Sequence, residues 1–299
     1  MTATLVRPEH QPLAVATVSG RRRFRNGLAT AVMWLAVAIA LVPLAFLVFF
    51  VVNKGLGIFG WKFLTKPIPV VARNKGPGMG PAVIGTVLIT GMATVMAVPL
   101  GILGAIYIVE YGAGNRLART IRFLGDVMAG VPSIVMGLFI FTVWVLRFKG
   151  HTGFAGSLAL ACLMLPIVIR STESMLRLVP RELREASYAL GCSKSRTILT
   201  VVLPAAVAGI TSGCLLAVAR AAGETAPLLF TIGLVSKTNT NLFHGPNTSL
   251  SLQIFSNAQV LFPGAQQRAW GAALTLLIIV MVFSVLARLI SGRFALATG

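Results

Sequence analysis

Six long stretches of this chain carry few or no charged residues, and they constrain its fold more than any other feature. A helix needs about 20 apolar residues to cross the roughly 30 Å hydrocarbon core of a bilayer. The composition agrees, because 56% of the 299 residues are hydrophobic and only 11% are charged. We therefore predict an all-α membrane protein whose spans are residues 28–52, 81–109, 127–146, 153–169, 201–235 and 270–287.

Basic residues separate these stretches and predict the orientation. The chain has 26 Lys and Arg residues against 7 Asp and Glu residues, which gives a net charge of +19. Cytoplasmic loops of membrane proteins are enriched in Lys and Arg, and placing both termini inside puts most of the cations on that side. The prediction is a basic, disordered cytosolic tail (1–27), a transmembrane domain (28–290) and a cytosolic C-terminal tail (291–299). The cations then serve insertion into a lipid membrane, and we predict no nucleic-acid partner.

The outer side is electropositive on this topology. The outer segments, residues 53–80, 147–152 and 236–269, contain cations and no carboxylate. An uncompensated positive field attracts an anionic substrate or an acidic docking surface. The alternative is that these long side chains only anchor the helices at the membrane interface, and the sequence leaves both interpretations open.

Metal and nucleotide sites are not indicated. The three Cys residues lack CxxC spacing and the three His residues are scattered, so we predict no metal site and no cofactor bound by this chain. The sequence also has no GxxxxGK[ST] pattern, which excludes a P-loop of its own. Any ATP-driven motor has to be another polypeptide.

Charge is concentrated in one cytosolic interruption, within which we name residues 177–204 the 177–204 segment. Its ordered pattern consists of Glu185, Ala186, Ser187, Gly191, Leu203 and Pro204. We predict a helix over 181–190 that ends at Gly191 in the left-handed conformation, and a second short helix that begins after Ser193 and stops before Pro204. A short amphipathic helix of this kind can lie in a groove of a partner. The alternative is a solvated loop that packs on the bundle.

Two charges interrupt the fifth span. Arg220 and Glu224 are four residues apart and share one helix face, and their position in a membrane is costly enough that they should face protein or water. Gly223 and Pro227 predict a break in the helix beside them. A guanidinium suits an oxyanion, whereas the alternative is a structural ion pair that locks helices together. Gly209 and Gly213 predict a close-packing face.

These patterns resemble a known family. The 177–204 segment is similar to the loop of ATP-binding-cassette (ABC) importer permeases that reads E-A-A-x3-G-x9-I-x-L-P, with Ser187 and Val201 as its departures. The run from Leu216 to Leu229 and the segments 130–135 and 165–173 resemble the A-subunit permeases of phosphate importers. The resemblance covers roughly residues 80–290.

The resemblance implies a six-helix type I ABC importer permease bundle with a cytosolic coupling helix. It implies a second homologous permease subunit, two ATPase subunits that use ATP, and an extracytoplasmic phosphate-binding protein, in a bacterial plasma membrane. A non-catalytic permease would then carry phosphate past Arg220, Glu224 and Thr225.

Arg170 and Asp126 are further candidates for the substrate path, although both could simply anchor helix ends. Two alternatives to phosphate import remain at this point. One is a permease for another oxyanion such as sulfate or molybdate, and the other is an ion-coupled secondary transporter.

Overall fold

The computed structural model describes residues 20–71, 73, 76, 78–112 and 114–295. Over these residues the chain is helical and forms no strand. The helices are α1 (Gly20–Leu56), α2 (Trp61–Thr65), α3 (Gly80–Ile106), α4 (Arg116–Gly130), α5 (Ser133–Ile140), α6 (Gly153–Leu178), α7 (Arg181–Ala189), α8 (Lys194–Thr197), α9 (Leu203–Gly223), α10 (Leu228–Thr231), α11 (Leu250–Ala258) and α12 (Pro263–Ala295). Three π-helical turns extend them: Tyr107–Tyr111 continues α3, Phe141–Val145 continues α5, and Ile198–Val202 joins α8 to α9.

The chain divides into two compact units after Phe50. The described part of the first unit, residues 20–50, is a stretch of α1 whose side chains are all exposed. From residue 28 onward this stretch is apolar on every face, which is typical of a helix that contacts lipid. The second unit begins at Val51 and contains α2 to α12.

The described helices account for the predicted spans. Five stretches are long and apolar enough to cross a membrane, and the α4–α5 pair makes a sixth if it is one broken span. The five are Gly20–Leu56, Gly80–Tyr111, Gly153–Leu178, Lys194–Gly223 and Pro263–Leu286. The protein is therefore a multi-pass membrane protein with an all-helical fold, as the uncharged stretches predict.

The third predicted span is wrong in one respect, because residues 127–146 do not form one straight helix. The bent pair Arg116–Gly130 and Ser133–Val145 meets at an angle of 105°. Between them Val131 and Pro132 are extended, with ψ of 128° and 137°. Proline has no N–H to donate and its ring disfavours a helical conformation at the preceding residue, so the helix ends one residue before Val131.

α6 is the central helix of the second unit. It packs against α3 and against α9, and α9 in turn packs against α12. The predicted close-packing face on α9 is confirmed, because a Cβ atom on Gly213 would collide with the Ser171 hydroxyl and one on Gly209 would collide with Met175. The glycines thus bring the backbone of α9 close to the half of α6 that follows Arg170.

The 177–204 segment has the predicted first helix and turn. α7 is followed by Gly191 with φ of +80°, a conformation in which glycine carries no steric penalty. The predicted stop before Pro204 is wrong, since the second helix continues without a break from Lys194 to Gly223. The wider π-helical turn Ile198–Val202 ends two residues before this proline, and a local π turn accommodates a residue that cannot donate to the usual i−4 carbonyl.

Parts of the predicted tails lie outside the described residues. These are residues 1–19 of the N-terminal tail and 296–299 of the C-terminal tail. The remaining residues of both tails are helical, at the beginning of α1 and at the end of α12.

Candidate functional site

The break predicted in the fifth span is present. α9 ends at Gly223, and Glu224 is extended with φ of −69° and ψ of 130°. Its N–H donates to the Ala221 carbonyl at 3.2 Å, and its own carbonyl accepts from the Ser251 hydroxyl at 3.0 Å. The chain then enters the short helix α10 after Pro227. The two charges therefore sit at the end of α9, where the Glu224 carbonyl has a partner from α11.

Arg220 and Glu224 form only a loose ion pair. Arg220 Nε lies 3.6 Å from Glu224 Oε1, which is beyond ordinary hydrogen-bond distance. The Arg220 side chain is 69% exposed and the Glu224 side chain 21%. Within the described part of the chain, no hydrogen bond of the Arg220 guanidinium is found. Its donors are available, and a guanidinium can hold an oxyanion with two parallel hydrogen bonds.

Arg170 is held more firmly. Its Nη2 lies 2.6 Å and its Nε 3.2 Å from Asp126 Oδ1, which joins the middle of α6 to α4. Both side chains are about half exposed. A charged pair in a membrane span is costly unless each charge has a partner, and Asp126 supplies one while leaving part of the guanidinium free.

The structure brings Arg170, Arg220 and Glu224 together around one cavity of about 490 Å³. This size is within the range of small-molecule sites, about 300–1,000 Å³. Asp126 lies outside the lining and reaches the cavity only through Arg170. Thr225 is also outside the lining, and its carbonyl instead accepts from the first N–H groups of α10.

The bend between α4 and α5 forms another wall of this cavity. Val131, Pro132 and Ser133 line it. Ser133 is the first residue of α5, so the positive end of that helix adjoins the cavity, and such an end favours anions. Sequence reasoning missed these residues, although Pro132 inside an uncharged stretch was a signal for a break.

A close backbone contact joins the two broken spans. A Cβ atom on Gly137 of α5 would lie 2.5 Å from the Pro227 Cα atom, so only glycine fits there. The break after α9 and the bend before α5 are thus held at a fixed distance, and both line or flank the same cavity.

The helix predicted to dock on a partner, α7, leaves most of its side chains exposed. Leu183 and Leu190 are 45% and 85% exposed, and Ala186 and Glu185 are exposed as well. Ser187 points the other way: it is buried, and its hydroxyl lies 2.9 Å from the buried Thr197 hydroxyl. The apolar side of α7 therefore does not pack on the described bundle, which favours a partner over a solvated loop.

Leu203 and Pro204 lie apart from α7, at the beginning of α9. The sequence pattern thus covers two parts of the fold: the exposed helix α7 and the start of the span that carries Arg220. In the described residues, no group of three or more His, Cys, Asp or Glu side chains could hold a metal ion.

Ion pairs near the ends of α3 and α6 were not foreseen. Glu173 Oε1 accepts from Arg122 at 2.9 Å and from Arg177 at 2.7 Å. Glu110 Oε1 accepts from Arg184 at 3.0 Å. The signal in the sequence was the presence of both glutamates at the ends of apolar stretches. Arg177 is only four residues from Glu173, but Arg122 is 51 positions from Glu173 and Arg184 is 74 positions from Glu110.

Comparison with known proteins gives a consistent result. The family model described as "Binding-protein-dependent transport system inner membrane component" matches residues 97–296. The chain is 43% identical over 285 residues to the phosphate transport system permease protein PstA 1 of Mycobacterium tuberculosis (strain CDC 1551 / Oshkosh), covering 94% of this chain and 93% of that protein. It is 41% identical over 272 residues to the PstA protein of Yersinia pestis, covering 91% and 92%.

Solved structures support the fold. A chain of the MetNI methionine ABC transporter, in an inward-facing conformation, matches with a TM-score of 0.53 at 18% identity, covering 74% of this chain and 94% of that one. A chain of an amino acid ABC transporter matches with a TM-score of 0.55 at 20% identity, covering 71% and 92%. At these identities the likeness concerns the fold alone.

Proposed function

Because the chain belongs to the PstA family of phosphate transport system permease proteins, we propose that it forms the membrane path of an ATP-driven importer of inorganic phosphate together with a second, homologous permease subunit. The observation that carries this proposal is the cavity at which Arg170, Arg220 and the positive end of α5 meet. Two broken helices converge there, and broken helices near the membrane midplane are a common way to build a substrate site in transporters.

Arg220 is the main ligand of the anion. Its single contact with Glu224 is long, so a phosphate can take the guanidinium donors without breaking a strong ion pair. Arg170 adds a second positive charge that Asp126 holds in place. Glu224 keeps the empty site neutral and, by repelling the bound anion, also limits how tightly it is held. A transport site needs this balance because the substrate has to leave again.

Thr225 and Asp126 have secondary places on the path. Thr225 lies in the break but outside the cavity lining, so its hydroxyl reaches the substrate only when the break moves. Asp126 acts through Arg170. Both assignments depend on the movement that alternately opens the cavity to the two sides of the membrane.

The energy comes from a partner. Of the two ATPase subunits, one docks on the exposed face of α7 in this chain and the other on the second permease subunit. This chain itself binds no nucleotide and catalyses no reaction. Closure of the ATPase pair then displaces the 177–204 segment. An extracytoplasmic phosphate-binding protein delivers the substrate to the acid-free outer segments, with both termini of this chain on the cytoplasmic side of the bacterial plasma membrane.

The test is uptake by the complete complex in liposomes. We expect labelled phosphate to accumulate only when ATP, the ATPase and the binding protein are all present. Unlabelled phosphate should compete, and equal concentrations of sulfate or molybdate should not. Uptake without the ATPase would contradict the proposal in favour of an ion-coupled secondary transporter, and competition by sulfate or molybdate would assign a different oxyanion.

A further inference from the structure

One side chain of the 177–204 segment reaches two membrane spans. Arg184, in the middle of α7, donates to Glu110 Oε1 from Nη2 at 3.0 Å and from Nε at 3.3 Å. Glu110 belongs to the π-helical turn that continues α3. The Arg184 side chain is 15% exposed and the Glu110 side chain 6%. This is the most buried of the ion pairs in the described chain.

The same guanidinium closes the end of α6. Nη1 donates to the Val179 carbonyl at 2.6 Å, and Nη2 donates to the Leu176 carbonyl at 2.9 Å. The last carbonyls of a helix have no partner within the helix and carry its partial negative charge, so a cation placed there is favourable. Arg184 thus holds the ends of α3 and α6 with one rigid group.

Other contacts of α7 do not replace this link. Among the described side chains of α7, only Arg184 and Ser187 make hydrogen bonds, and the Ser187 bond to Thr197 stays inside the 177–204 segment. α6 and α9 are joined to this segment by the chain itself, whereas α3 is not. The contact between Arg184 and Glu110 is therefore the hydrogen-bonded connection between α7 and α3.

The helices that Arg184 holds lead to the cavity. α6 carries Arg170 two turns before its cytosolic end, and α3 packs along α6 for much of its length. A helix is stiff along its axis, so a shift at its end moves the residues two turns away. A displacement of α7 would thus reach the Arg170 side of the cavity through α6, together with α3.

We propose that Arg184 is the positioning residue that transmits the displacement of α7 to α3 and α6 during phosphate transport. It acts through Glu110 and the carbonyls at the end of α6 and does not touch the substrate. The inference rests on the proposed docking of an ATPase on α7. Without the Glu110 contact, the ATPase still docks and hydrolyses ATP, but α3 no longer follows α7.

The experiment measures coupling in the complete complex, reconstituted in liposomes with Arg184→Gln or Glu110→Gln. Three quantities are recorded: the ATPase that co-purifies, the rate of ATP hydrolysis, and the phosphate taken up per ATP hydrolysed. We expect normal co-purification and retained hydrolysis in both variants, with uptake per ATP reduced about tenfold or more, since small misplacements at a site are costly. Arg119→Gln removes an exposed cytosolic arginine of α4 and should leave all three quantities unchanged.

The ratio of uptake to hydrolysis separates the inference from the proposed function. If the unaltered complex binds no ATPase or takes up no phosphate, the proposed function fails. If it transports phosphate and Glu110→Gln keeps the ordinary ratio, the role of Arg184 is overturned. Glu110→Gln is the decisive variant when Arg184→Gln does not assemble. It removes the negative charge that holds Arg184, but it keeps the shape of the side chain and the bonds from Arg184 to the α6 carbonyls. Failure of both variants to assemble would also overturn it, because the contact would then serve folding alone.

Discussion

The two arginines that line the cavity, Arg170 and Arg220, differ in how firmly a carboxylate holds them. Arg170 is held by Asp126 at 2.6 Å, whereas Arg220 has a loose partner at 3.6 Å. Sequence spacing identified the Arg220–Glu224 pair because the two residues are close in the chain. It could not pair Arg170 with Asp126, which lies in another helix, and it left both as isolated charges. The distinction between a fixed and an available arginine therefore comes from the fold.

At residue scale, Asp126→Asn should change transport by freeing Arg170. The neutral amide leaves the cavity with one more uncompensated positive charge, so phosphate is held more tightly and released more slowly. We expect a lower KM for phosphate uptake together with a lower maximal rate, measured in liposomes that contain the complete complex. An unchanged KM would show that Arg170 does not contribute to the anion site.

The buried hydroxyl pair in the 177–204 segment allows a stability prediction. Ser187→Ala removes one partner and leaves the buried Thr197 hydroxyl without its bond, at a cost of about 1–3 kcal/mol. The double variant Ser187→Ala with Thr197→Val removes both hydroxyls and should recover part of this loss. Unfolding of the purified chain, followed by its Tm in detergent, checks both. Additive losses in the double variant would contradict the contact.

At the scale of elements, the turn after α7 depends on one conformation. Gly191 has φ of +80°, and a side chain there costs about 1–2 kcal/mol because left-handed backbone brings Cβ close to the carbonyl oxygen. Gly191→Val should lower the amount of ATPase that co-purifies. The control is Gly125→Ala, since Gly125 lies inside α4 with room for a Cβ atom. Equal ATPase binding by Gly191→Val and the unaltered chain would contradict the docking role of α7.

The close contact between Gly137 and Pro227, which joins the two broken spans, allows a second prediction about the helices. Gly137→Ala places a Cβ atom 2.5 Å from the Pro227 backbone, and overpacking of this kind typically costs about 1–3 kcal/mol. We expect a lower Tm and reduced phosphate uptake. Gly91→Ala makes the same chemical change in α3, where nothing lies within 4 Å of the new atom. The two variants should differ, and identical behaviour would mean that the contact does not set the geometry of the cavity.

Sequence patterns predicted the turns and breaks of these helices better than the contacts between residues that are far apart in the chain. The left-handed Gly191 and the break beside Glu224 follow from neighbouring residues, and both are present. The bend at Pro132 was also a local feature, but a stretch of uncharged residues concealed it. The contact of Glu110 with Arg184 joins residues 74 positions apart, and no pattern within one helix contains that information.

For the whole molecule, the number of spans determines which loops lie on the same side of the membrane. An even number of spans puts both termini on one side, and it puts α7 and the outer segments on opposite sides. Composition predicted six spans, and the helices agree when α4 and α5 count as one broken span. The orientation itself stays a prediction from the bias in Lys and Arg.

Accessibility of single cysteines tests this orientation. In a chain without its three natural cysteines, Leu190→Cys at the C-terminal end of α7 should react with a membrane-impermeant maleimide only from the cytoplasmic side. Phe243→Cys, in the exposed loop before α11, should react only from the outside. Labelling of both from the same side would contradict the topology, and with it the assignment of α7 to the ATPase.

We propose the assignment of Arg220, in the shared cavity, as the residue that holds the transported phosphate. Its most direct test is the rate of ATP-driven phosphate uptake in liposomes by the complete complex with Arg220→Gln, compared with Arg119→Gln, which removes an exposed arginine elsewhere. Loss of two charge-assisted hydrogen bonds of about 1.5–3 kcal/mol each predicts a decrease of roughly 100-fold or more for Arg220→Gln, with the complex still assembled and Arg119→Gln unaffected. Uptake by an assembled Arg220→Gln complex at the unaltered rate would contradict the claim.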